Sequence, residues 1–140
     1  MFKNSLFLIT IFCAGCLWVP VNVAAETDFH TFWKKFKTAV VNHDKTTVAN
    51  LTQFPLSMPL GVNRVKTKAE FVKDYDRIVN IEANAKRCFQ ATKPEPEGKG
   101  FAVYCTFKTL PESSNNRPIK YYFEKTKTGW KFTGLDNINE

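Results

Sequence analysis

The hydrophobic period changes partway along the chain, and this change limits the fold more than any single motif does. Phe29, Phe32, Trp33, Phe36 and Val40 recur at helical spacing, with Lys34, Lys35 and Lys37 turned away from them. This predicts an amphipathic first helix over about 28–42, with Thr27 as its cap. Asp44 can cap a short second helix carrying Val48 and Leu51, and Phe54-Pro55 ends it because proline disfavours a helical residue before it. Pro55, Pro59 and Gly61 turn the chain towards Thr67-Lys68-Ala69-Glu70, a capping box. Phe71, Tyr75, Ile78 and Val79 follow it on one face of a third helix.

From Phe101 the period falls to two. Phe101, Val103, Cys105 and Phe107 alternate against Ala102, Tyr104 and Thr106, and Ile119, Tyr121 and Phe123 against Lys120, Tyr122 and Glu124. Trp130, Phe132 and Gly134 continue the pattern. Turn-forming stretches at 93–98, 111–118 and 127–129 separate the runs, and 112–117 is a polar loop. A helical half followed by alternating runs reads as an α+β domain in which three helices pack on an antiparallel meander of four strands. In this reading the first strand is 85–91, paired with 102–108, which sets Cys88 opposite Cys105 as a cross-strand disulfide.

The N-terminus supports that disulfide by assigning a compartment. Lys3 precedes an apolar run from Leu6 to Val19, then Pro20 and a small-residue exit at Val23-Ala24-Ala25 before Glu26. The run of about 14 residues is shorter than the roughly 20 needed to cross a bilayer. A cleaved secretory signal over 1–25 is expected, with one domain over 26–140 and a periplasmic or secreted location. Ala14-Gly15-Cys16 offers a lipoprotein alternative, although Cys13 stands where Leu is usual. Cleavage would remove Cys13 and Cys16, leaving Cys88 and Cys105 in an oxidising setting and spaced unlike a thiol-redox motif.

Removing Lys3 with the signal lowers the formal net charge from +7 to +6. The Lys34, Lys35, Lys37 cluster is read as the solvated face of a helix, without the Arg or aromatic interleaving of a nucleic-acid surface. A chain of this size buries enough surface for one core.

The pattern Phe29-x-x-Phe32-Trp33-x-x-Phe36, Asn42-His43-Asp44 before the second helix and Gly129-Trp130-Lys131-Phe132 in the last strand resemble the nuclear transport factor 2-like superfamily, which includes ketosteroid isomerase and scytalone dehydratase. The resemblance covers nearly all of 26–140. It implies a curved sheet wrapped around helices to form a cone, but not a function, since such folds host isomerases, dehydratases, transport factors and immunity proteins. The isomerases place a tyrosine on the first helix and a general-base aspartate in an Asp-Pro-Val-Gly stretch. The matching positions are Phe36, eight before Asp44, and Met58, in Met58-Pro59-Leu60-Gly61. Phe36 cannot donate a hydrogen bond and Met58 cannot take a proton, so this chemistry is not expected.

Trp33, Phe36, Met58, Phe71, Tyr75, Tyr104, Tyr122 and Trp130 are the candidates to line an apolar ligand pocket. His30 and His43 are the chain's imidazoles. A histidine dyad would need one of them to meet Asp74 or Asp76 inside a pocket, whereas Asp28 and Asp44 read as helix caps. No metal or cofactor is expected. Asn50-Leu51-Thr52 is a glycosylation sequon, to which the bacterial-looking signal gives no use. The leading expectation is an exported, non-catalytic binding protein whose partner is a small apolar molecule, another protein or a second copy paired through the sheet. A pocket enzyme using His43 or His30, and an inhibitor or immunity protein docking a basic face on an acidic partner, are the alternatives.

Overall fold

The computed structural model describes residues 23–58 and 65–139; residues 1–22, which hold most of the expected signal over 1–25 with Cys13 and Cys16, and most of Met58-Pro59-Leu60-Gly61 lie outside the described residues. The first helix, α1, is Val23–Val41. It begins before Thr27, so that residue is inside the helix and is not its cap. The short helix α2, Lys45–Asn50, starts at Asp44, whose carboxylate accepts from the Thr47 amide at 3.0 Å.

Strand β1, Thr52–Ser57, follows directly, so Phe54 and Pro55 extend the sheet where a turn was expected. It lies at the sheet edge, the position where proline's missing N–H is tolerated. The third helix is divided at Asp74 into α3, Lys68–Lys73, and α4, Tyr75–Val79. The expected capping box is present: the Glu70 amide donates to Thr67 Oγ1, and Glu70 accepts from the Thr67 amide. Phe71, Tyr75, Ile78 and Val79 are all buried despite the break.

The segment read as the first strand is a helix, α5, Ala85–Ala91. Asn84 caps it by accepting from the Arg87 amide at 3.0 Å, and Ala85, Cys88 and Phe89 face the core at the spacing a helix requires. Strands β2, Glu95–Glu97, β3, Gly100–Cys105, β4, Ile119–Thr126, and β5, Gly129–Asn137, complete the fold. The mixed sheet runs β1-β5-β4-β3-β2; β1 lies parallel to β5 and the remaining pairs are antiparallel. Cys88 and Cys105 are bonded with Cα atoms 5.7 Å apart. They tie α5 to β3, not strand to strand.

The alternation read for β3 and β4 sets the core. Phe101 stacks on Phe29 at a centroid distance of 3.8 Å, and Tyr121, Phe123 and Phe132 project among Trp33, Phe36 and Phe89. Phe123 meets Phe36 edge-on at 5.1 Å and Trp33 at 5.6 Å. The α1 stripe and the inner sheet face therefore form one aromatic layer.

Candidate functional site

The expected pocket residues divide among four locations. Phe36, Phe71 and Tyr75, exposed by 0–1 %, are packed into the core. Trp130 is buried edge-on against Phe29 at 4.8 Å. The sheet alternation puts Tyr104 and Tyr122 on the outer face, away from the helices. There the Tyr104 hydroxyl donates to Glu97, Lys120 Nζ donates to Glu97 at 3.0 Å, and the Tyr122 hydroxyl donates to the Glu97 carbonyl at 3.3 Å. The Tyr104 hydrogen bond is the largest effect on the Glu97 carboxyl and, with the hydrogen bond and charge of Lys120, holds it below its usual range against the opposing effect of desolvation. Burial first, then that same hydrogen bond, pushes the Tyr104 hydroxyl up to about 12.

Met58 borders a depression of about 70 Å³ together with Ile78, Val79, Ile119, Tyr121 and Leu135, with Glu82, Asp136 and Asn137 at its polar side. Ligand pockets run from roughly 300 to 1,000 Å³. Three of the polar groups here are engaged, since Tyr121 donates to the Val79 carbonyl at 2.7 Å and Asn137 Nδ2 donates to Glu82 at 3.1 Å, while Asp136 Oδ1 is buried with no hydrogen-bond partner among the described residues. The Tyr75 hydroxyl is buried with no hydrogen-bond partner among the described residues. Desolvation drives both it and the Tyr121 hydroxyl well above the ordinary tyrosine value, so both stay protonated.

Because Met58 is 8 % exposed and borders a depression that two carboxylates, Glu82 and Asp136, also line, Met58→Asp is expected to lower stability by about 2 to 4 kcal/mol, through lost packing and an unpaired buried carboxylate. Denaturant titration checks this; an unchanged midpoint would place the side chain in solvent.

His43 does approach a carboxylate, but on the surface. Its Nε2 is 3.5 Å from Asp76 Oδ2, with side chains 53 % and 56 % exposed, and Lys45 Nζ reaches the same oxygen at 3.0 Å. Partial desolvation raises the Asp76 carboxyl, but the Lys45 hydrogen bond and the charges of His43 and Lys45 together hold it below its usual range. The imidazole therefore shares its acid with a lysine and faces water, not a substrate cavity. His43 also sits in the left-handed region at φ 58°, as the turn between α1 and α2 demands. His43→Gly is accordingly expected to stay within about 1 kcal/mol of the parent, since glycine accepts that φ without strain while an exposed ion pair of small worth is lost. Thermal unfolding with a larger loss would mean that the imidazole holds the turn. His30 is exposed on α1. Among the described residues no group of three His, Cys, Asp or Glu could hold a metal ion, and no helix is long and apolar enough to cross a membrane. In the sequon, Thr52 is buried and its hydroxyl donates to the Val48 carbonyl at 2.8 Å.

Sequence reasoning did not single out the outer flank of α1 as a shaped surface. A groove of about 500 Å³ runs between α1 and α5, lined by Trp33, Lys34, Lys37, Thr38, Val41, Asn42 and Gln90. A second, of about 410 Å³, lies on the other side of Lys34 along Lys35, Thr38 and Asn42 towards Asp44. The lysine cluster was the available signal; the groove depended on α5, which was read as a strand.

No family model matches the chain, and no curated protein matches it. Among solved structures it is similar to an NTF2-like protein with a cystatin-like fold from Novosphingobium aromaticivorans, at 10 % identity and a TM-score of 0.43, over 82 % of this chain and 81 % of that one.

Proposed function

We propose that this chain is an exported, non-catalytic binding protein of nuclear transport factor 2-like architecture, whose partner is a protein met on its outer surface and not a small molecule held in the cone. One observation carries the reading: the space between α1 and the sheet is occupied by the protein's own rings. Phe29, Phe36, Phe89, Phe123 and Phe132 are exposed by 0–1 % and in ring contact. An apolar ligand would have to displace close-packed side chains, at a cost of several kcal/mol for a single large residue. Catalysis lacks support on the same ground, because the histidine–carboxylate pair lies outside that space and the phenylalanine and methionine at the isomerase-like positions carry no titratable group. The buried disulfide and the leader-like N-terminus support export.

Calorimetric titration of the protein with laurate and with a bicyclic aromatic such as naphthalene sulfonate tests the closed interior. No saturable heat is expected. Micromolar binding that Phe36→Trp abolishes would overturn the reading and return the cone to a ligand.

A further inference from the structure

We infer that the groove between α1 and α5 is the docking site for an acidic polypeptide segment; this rests on the reading that the partner is a protein met on the outer surface. Three observations choose the occupant. The first is charge. Lys34, Lys35 and Lys37 form no ion pair with any described residue, although Lys45, Arg77, Arg87, Lys120 and Lys125 all do. Lys34 and Lys37 are the charged groups lining the α1–α5 groove and no carboxylate lines it, whereas Lys35 lies on the adjoining groove that ends at Asp44. Gln90 borders the groove from α5, and Lys86, one turn earlier on the same flank and exposed, extends the basic border.

The second observation is shape. From Trp33 to Val41 the α1 side of the groove spans about 12 Å at 1.5 Å per residue, and its volume of about 500 Å³ accepts a ridge of side chains. Half-buried Val41 supplies most of its apolar wall, with only a small part of the largely buried Trp33, beside Lys34 and Lys37, the arrangement a short acidic segment with one apolar anchor would fill.

The third is what the face does not show. A helix that lies on a membrane inserts exposed large apolar residues, yet the α1 aromatics are turned into the core. The exposed large hydrophobics among the described residues are Ile81 and Ile138, away from this helix. Single-stranded nucleic acid would need exposed rings or arginine for stacking, and α1 offers neither.

Fluorescence anisotropy with labelled poly-L-glutamate tests the proposal. Wild type should bind saturably, and raising salt from about 50 to about 500 mM should weaken binding at least tenfold. Lys34→Glu/Lys37→Glu should lower affinity at least tenfold, while Lys99→Glu/Lys127→Glu, with the same net charge but altered at the β2–β3 and β4–β5 turns, should stay within about threefold. Equal losses in the two variants would overturn the site in favour of net charge alone. Absence of poly-L-glutamate binding, or lysine-dependent binding to phosphatidylglycerol vesicles in its place, would overturn the partner class. All of these outcomes leave the closed interior to be judged by the laurate titration.

Discussion

Replacing Phe123 by alanine is expected to destabilise the protein by about 3 to 5 kcal/mol, the range for truncating a fully buried aromatic ring. The residue is 0 % exposed and its ring meets Phe29, Phe32, Trp33, Phe36 and Phe132, so it joins the sheet to α1. Those neighbours are themselves held from several sides: Phe29 by Phe101 and Trp130, Phe36 by Phe89 and Phe132. A site walled this way collapses little, which sets the effect towards the upper end. The variant carries a second consequence. An apolar cavity of ring size stays dry and takes up small apolar molecules, so Phe123→Ala should bind benzene or indole where the parent does not, and the ligand should raise its unfolding midpoint. Denaturant titration with and without indole reads both effects. A loss below about 1 kcal/mol would mean that the aromatic layer is loosely packed and that the interior is less filled than its burial indicates.

The parts of this fold legible in the sequence were those where one residue pattern serves one local structure. The α1 stripe, the Asp44 cap, the Thr67–Glu70 capping box and the alternation in β3 and β4 each follow from spacing alone. Misreadings arose where two signals competed. Ala85, Cys88 and Phe89 have helical spacing behind Asn84, but the same segment as a strand also sets Cys88 opposite Cys105 across a hairpin. The disulfide constrains a distance, which a helix docked on a strand satisfies as well. Phe54-Pro55 was read as a stop because proline ends helices; an edge strand beside β5 satisfies the same restriction with extended backbone. The pocket candidates failed for a further reason. Composition cannot distinguish a ring that lines a space from one that fills it, and the faces of Tyr104 and Tyr122 depended on which side of the sheet the helices cover.

The double replacement Cys88→Ala/Cys105→Ala is expected to lower stability by about 3 kcal/mol, from the loop-closure entropy restored to the unfolded chain by a 17-residue separation. Both residues are 1 % exposed, so two small vacated volumes add to the loss. The damage should be uneven. α5 has seven residues, too few to persist as an isolated helix, and it is held through Ala85, Cys88 and Phe89 against α1 and β3. Without the bond, amide exchange in α5 should quicken before that of β4 and β5, whose ladder joins Ile119 through Thr126 to Asn137 through Gly129. The α1–α5 groove should loosen with it, because Gln90 forms its α5 wall. Poly-L-glutamate affinity should then fall in the double variant even though every lysine on α1 is retained. Thiol titration of the denatured, unreduced parent should find no reactive sulfur at Cys88 or Cys105. If the double variant unfolds at the same denaturant concentration as the parent, with uniform exchange, the core alone fixes α5 and the bond is no more than a consequence of proximity.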